Sequence, residues 1–179
     1  MVSDAGATAA EGGTPAPPPD LAPGRWRATN VPVPEQHVVA LVAAALLQRR
    51  WAWKLPGPRR LHRLLGWPLA VSGVVLALRS VRAAGDLDIE RADRLLQHGP
   101  YARTRNPMYL AWALLHVGLG LAAGSGWLVA SYPAAAAAIH REVLREERAL
   151  AATFGADLER YAAIVPRYLP RVRTDRSAR

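Results

Sequence analysis

The chain has 179 residues, room for one domain, and is half hydrophobic with a mean hydropathy close to zero. Its net charge of +9 is almost all arginine, with Lys54 the single lysine. The arginines stand at the ends of apolar runs, where a protein meets anionic headgroups, so a lipid bilayer is the expected partner and no nucleic acid is. There is no cysteine, which excludes disulfides, thiolate metal sites and a cysteine nucleophile. The five histidines show no ligand pair with carboxylate support, so no metal is expected.

Residues 1–35 hold seven of the fifteen prolines, with small and acidic residues and no apolar period. They read as a disordered tail rather than a signal peptide, because no charged start leads into an apolar core. Four apolar runs follow: 38–47 (resumed by Trp51-Ala52-Trp53 after Gln48-Arg49-Arg50), 64–78, 108–123, and 127–139, the last continuing as a charged helix to about Ala152. Crossing a ~30 Å hydrocarbon core takes ~20 helical residues. Each run reaches that length with flanking Arg and Trp, which snorkel or sit in the interface. Runs 64–78 and 108–123 lack the polar face that a surface helix of a soluble bundle needs. The fold class expected is an all-α transmembrane bundle of about four spans in two hairpins, with a membrane domain over 36–170 and a basic tail over 171–179.

Pro56-Gly57-Pro58 joins the first two runs and Gly124-Ser125-Gly126 the last two, as turns. Pro133 lies inside the fourth run, where a kink is expected. With four spans, 17 basic residues fall on the side of the termini and 6 on the other, which puts both termini in the cytosol. The second hairpin brings residues 101–109 and 141–147 to that same face.

Those two segments carry the motifs. The first is Gly99-Pro100-Tyr101-Ala102-Arg103-Thr104-Arg105-Asn106-Pro107-Met108-Tyr109. After the hairpin come Arg145-Glu146-Glu147, Phe154-Gly155, Tyr161 and Val165-Pro166-Arg167-Tyr168-Leu169-Pro170. Taken singly, each has a plain reading: Gly99-Pro100 is a turn, Pro107 a helix start, Tyr109 an interfacial aromatic, and Glu146 the i+4 partner on a solvated helix. Their order and spacing say more.

In that order they resemble the C-terminal half of the isoprenylcysteine carboxyl methyltransferase and phospholipid methyltransferase superfamily, over about residues 62–170 and most sharply over 96–170. The resemblance implies an integral membrane enzyme that methylates a lipophilic or lipid-anchored acceptor, with S-adenosylmethionine as cofactor and the site on the cytoplasmic face. It implicates Leu95, Leu96, Tyr101, Arg105, Asn106, Pro107, Met108, Tyr109, Glu146 and Glu147 in cofactor binding, with Pro166-Arg167 as a lid, and it assigns no catalytic residue. The residue types suit that cofactor: carboxylates for its cations and hydroxyls, a guanidinium for its carboxylate, aromatic faces for its adenine.

One position departs from the family pattern. Asn106 stands where the family most often has His. An amide orients a ligand but takes no proton near neutral pH, which tilts the expected acceptor towards a carboxylate over an amine. Two other readings follow from the same scaffold: an NADPH-dependent reductase related to sterol reductases, and a non-catalytic membrane partner. The methyl acceptor and the oligomeric state are not written in the sequence.

Overall fold

A computed structural model describes residues 34–85 and 95–169; most of the expected N-terminal tail, the C-terminal tail and Pro170 lie outside them. Among the described residues there are five α-helices and no strand: α1 (Glu35–Arg50), α2 (Arg59–Ala84), α3 (Pro107–Ala123), α4 (Gly126–Phe154) and α5 (Ala156–Ile164). A 3-10 turn, Gly99–Ala102, precedes α3. The all-α expectation holds. The short α5, not expected as a helix, packs Leu158 and Tyr161, with Val165 just after it, against Leu95, Leu150 and Phe154.

The distribution of side-chain sizes on α2 reverses that of a helix in a water-soluble protein. Its buried residues are His62, Gly66, Ala70, Gly73, Ser80 and Ala84, whereas Leu64, Leu65, Trp67, Val71, Val74, Val75 and Leu78 are exposed. Small residues inside and large apolar ones outside suit packing within lipid, where close backbone approach drives helix association. An 18-residue window of α2 has a mean hydropathy of 1.7 and is only 22 % buried, so α2 is long and apolar enough to cross a membrane and is not a covered core helix. α3, at 17 residues, is apolar but shorter.

α2 and α3 pack backbone to backbone. A Cβ added to Gly73 would stand 2.6 Å from the Ala111 carbonyl oxygen, and one added to Gly118 would stand 2.5 Å from the Ala70 nitrogen. α3 then turns back into α4. Gly124 adopts a left-handed conformation (φ 63°), which glycine alone takes without cost, and Ser125 caps α4 by accepting from the Leu128 N–H at 3.3 Å. α4 runs as one helix through Pro133 to Gly155, where the chain bends (φ 44°) into α5.

α1 packs chiefly on α4 and does not run along α2. The two expected hairpins are therefore one hairpin, α3–α4, and one loop connection. The reason lies in residues 51–55, which fasten to the α3–α4 turn instead of folding α1 onto α2. Gly126 N–H donates to the Trp53 carbonyl at 2.8 Å and Leu55 N–H to the Gly124 carbonyl at 2.9 Å. The Ser125 hydroxyl donates to Gln48 Oε1 at 2.8 Å and the Trp127 indole to the Trp51 carbonyl at 2.7 Å. This is the loop end of the bundle; the motif residues gather at the other.

Candidate functional site

At the motif end, local backbone chemistry aims the side chains. Pro100 opens the 3-10 turn, and Pro107 opens α3 with its missing N–H at a position that needs none. The six residues between them are held by the C-terminal segment. Arg105 N–H donates to the Pro166 carbonyl at 2.9 Å. The Thr104 hydroxyl and the Asn106 amide both donate to the Arg167 carbonyl at 3.1 Å. The Tyr161 hydroxyl donates to the Tyr101 carbonyl at 2.6 Å. Asn106 thus caps α3 in position but not in chemistry: its side chain holds the tail.

Two ion and hydrogen-bond clusters result. In the first, Glu147 receives three contacts from Arg167, from Nε at 2.9 and 3.1 Å and from an Nη at 2.7 Å, and one from Arg105 at 3.0 Å. Burial pushes the Glu147 carboxyl up, but the Arg167 hydrogen bonds and the two guanidinium charges outweigh it and hold the carboxyl below its usual range. In the second, the Tyr109 hydroxyl donates to Glu146 Oε1 at 2.7 Å, joining α3 to α4. Among the described residues no cation forms an ion pair with Glu146. Burial raises its pKa against the Tyr109 hydrogen bond, and Glu142 and Glu147 add to the rise. Adjacent carboxylates are thereby driven in opposite directions. Tyr101 is pushed up to about 12 by burial and then by the Glu146 charge, so its hydroxyl stays a donor.

Arg105 is the residue left incomplete. Its side chain is 15 % exposed, and its Nε is buried with no hydrogen-bond partner among the described residues. A buried guanidinium N–H without an acceptor is costly, and it marks where a ligand's anionic or carbonyl oxygen fits.

The structure brings Arg105, Asn106, Tyr109, Glu146 and Glu147 together with the Tyr101 backbone. Pro107 and Met108 are buried behind them in the first turn of α3. Leu95 faces α5 instead, and Leu96 beside it is half-buried. Arg167, expected as a lid, is already seated on Glu147. Sequence reasoning passed over Thr104, which is 2 % exposed, and the pair His140–Tyr168, whose ring nitrogen and hydroxyl are 2.7 Å apart. A threonine two residues before an N-cap, where it accepts from Asn106 N–H at 3.3 Å, was a legible signal. The His140–Tyr168 contact was not, because it depends on how the tail is laid. A shallow hollow of about 320 Å³ lined by Arg63, Trp67, Leu119, Ala122 and Ala123 belongs to the loop end and touches none of these residues.

Compared with known proteins, the sequence model described as phospholipid methyltransferase matches residues 61–157, more than half of the chain and the span from α2 through the two glutamates. No curated protein and no solved structure matches.

Proposed function

From the premise that this chain belongs to the phospholipid methyltransferase family, we propose that it is a multi-span membrane enzyme that uses S-adenosylmethionine to methylate a lipophilic or lipid-anchored acceptor. Family membership supports a membrane methyltransferase in general; the cofactor, the acceptor and the topology are our reading. The observation that carries it is the gathering of Arg105, Tyr109, Glu146, Glu147 and Arg167 at one end of α3 and α4, with a buried guanidinium N–H still unmet.

The residues present fit the group. Arg105 offers its free Nε–H to the cofactor carboxylate, and Glu147 acts through the two arginines it holds in place. Glu146, with one oxygen on Tyr109, offers the other to a hydroxyl or ammonium. Tyr101 and Tyr109 supply ring faces for the base. When bound, S-adenosylmethionine supplies a methyl group on a sulfonium, and methyl transfer is an in-line displacement that depends on alignment and exclusion of water. Thr104, Asn106 and Tyr161 provide the alignment by fixing the loop against the tail. Leu95 and Leu96 sit at the edge of this arrangement, and Pro107 and Met108 form its floor.

In this reading residues 36–170 form the membrane domain, α1, α2, α3 and the apolar part of α4 (residues 127–139) are its four spans, and the charged end of α4 lies with α5 and the tail in the cytosol, where the basic residues are in excess. At the motif cluster itself a carboxylate acceptor is the simpler fit. Asn106 takes no proton near neutral pH, and a carboxylate needs no base, whereas an amine requires one elsewhere in the chain.

Calorimetry on detergent-purified protein tests the reading, with S-adenosylmethionine and NADPH titrated in parallel. Binding of the first alone, lost in the Glu146→Gln, Glu147→Gln double variant and weakened by Tyr109→Phe, is the expected result. Binding of NADPH alone would replace it with the reductase reading, and binding of neither with a scaffold.

A further inference from the structure

Two histidines lie where the cofactor cluster makes no use of them. His37 on α1 and His116 on α3 are 1 % and 0 % exposed, and their Nδ1 atoms are 2.9 Å apart. Imidazoles among apolar helices mark a functional site by default, provided that their partners can be named. Here they can.

The hydrogen-bond chain fixes where the protons sit. His116 Nε2 lies 3.0 Å from the Leu128 carbonyl and 3.0 Å from Ser131 Oγ. The Ser131 hydroxyl donates its own proton to the same carbonyl at 2.9 Å, which leaves its oxygen free to accept. Both neighbours of His116 Nε2 are therefore acceptors, and that nitrogen carries the proton. A neutral imidazole has one N–H. His116 Nδ1 must then accept within the pair, and His37 Nδ1 must donate. It follows that His37 Nε2 is bare. A proton taken there leaves an imidazolium whose remaining N–H already points at His116, a charge-assisted bond made ready in advance.

The surroundings suit a polar ligand group. Trp112 and Tyr132 flank His37 with ring centroids 6.4 and 6.2 Å away, near parallel to it. The Trp112 indole N–H is buried and has no acceptor among the described residues. Tyr109, Trp112 and His116 recur at spacings of three and four, on one face of α3, so the pair continues inward from the proposed cofactor cluster. α1 meets α3 at few points besides this pair, and both histidines are covered where the helices touch, so an acceptor reaches them as α1 moves off α3.

We propose that His37 is the base for an amine-bearing methyl acceptor, with His116 as its positioning residue. The proposal rests on the methyltransferase reading and supplies the base that Asn106 cannot. An ammonium group gives its proton to His37 Nε2. The nitrogen lone pair so freed forms a bond to the methyl carbon of the sulfonium donor as the carbon–sulfur bond breaks and leaves its electrons on sulfur. Positive charge passes from ammonium to imidazolium in the first step, so no new charge is created in the membrane.

The test is transfer of labelled methyl from S-adenosylmethionine in nanodiscs, to dioleoyl phosphatidylethanolamine or to dioleoyl phosphatidylcholine, which has no N–H. Wild type is expected to methylate the first and not the second. His37→Gln puts an amide that cannot take a proton at the Nε2 position, and it should lose about 100-fold in transfer with cofactor affinity unchanged by calorimetry. His116→Gln should lose less. Transfer retained by His37→Gln within about threefold would overturn the proposal, since general-base catalysis contributes far more than that. So would a loss of transfer that only tracks a loss of cofactor affinity, which marks a packing role. So would a wild type that binds the cofactor and ignores phosphatidylethanolamine. If wild type binds no S-adenosylmethionine, the calorimetry shows it before any lipid is added. The methyltransferase reading then falls, and this proposal with it.

Discussion

The side-chain amide of Asn106 donates to the main-chain carbonyl of Arg167 at 3.1 Å, so the residue that opens α3 also holds a tail 61 positions later in the chain. Thr104 donates to the same oxygen. Two donors from one loop on one carbonyl make the tail part of the site and not an appendage to it.

Removing one of those donors should therefore act on binding rather than on the fold. Asn106→Ala deletes a net hydrogen bond of about 1 kcal/mol, so S-adenosylmethionine affinity is expected to fall about fivefold while the melting temperature stays nearly constant. Thr104→Val should match it, and calorimetry on both variants checks the pair. Asn106→His separately tests the acceptor tilt at this position. A gain on amine acceptors with none on carboxylates would support it, and indifference would dismiss it.

The two glutamates should respond unequally to the same change. Glu147→Gln strips the counter-charge from two arginines, whereas Glu146→Gln still offers an amide oxygen to the Tyr109 hydroxyl. Cofactor affinity is expected to drop more than tenfold for Glu147→Gln, the scale of a charge-assisted contact, and by less for Glu146→Gln. Hydrogen exchange over residues 165–169 should quicken only in the first.

Acid should loosen the tail late. The Glu147 carboxyl is held below its usual range by Arg167 and Arg105 against the cost of burial. A depressed folded-state pKa contributes stability that is fully present above the unfolded value and is lost as the pH falls through the folded one. Protection of residues 165–169 should accordingly survive down to the ordinary carboxyl range near pH ~4.3 and collapse below it. Glu146 has its pKa raised by burial and should protonate first. Exchange measured across pH 3 to 7 separates the two, because loss of tail protection that follows Glu146 would contradict the assignment.

The α2–α3 seam makes a prediction about stability alone. Gly73→Ala puts a methyl group against the Ala111 carbonyl, where backbone and not a flexible side chain must yield. A cost of about 1–3 kcal/mol is expected for such overpacking, read as a lower melting temperature in detergent. Val74→Ala on the exposed side of the same helix should cost much less, because that side chain is 46 % exposed and shortening it forces nothing to move.

Much of this was legible from residue order. Four apolar runs became four helices, Gly124 and Ser125 formed the turn expected of them, and the motif residues met at one end because a hairpin leaves them no other place. What escaped the sequence has one physical cause. Contacts such as Glu147 with Arg167, or Trp53 with Gly126, depend on how irregular segments lie across helix ends, and neither period nor propensity encodes that path. α5 was missed because its apolar positions, Leu158 and Tyr161, are too few to set a period. Asn106 is the instructive case. As a departure from a family pattern it invited a chemical explanation, and its amide in the folded chain has a mechanical one.

The fastening of residues 51–55 to the α3–α4 turn bears on how the molecule moves. Main-chain and side-chain hydrogen bonds pin α1 and the hairpin together at one extremity, with the Trp53 ring seated on Gly126 where no side chain fits. Helices joined at one extremity separate as the blades of shears do, with displacement growing in proportion to distance from the pivot. α3 and α4, joined at that extremity by their own turn, are free to diverge most at the motif end, and the Tyr109–Glu146 hydrogen bond is the clasp that closes them there.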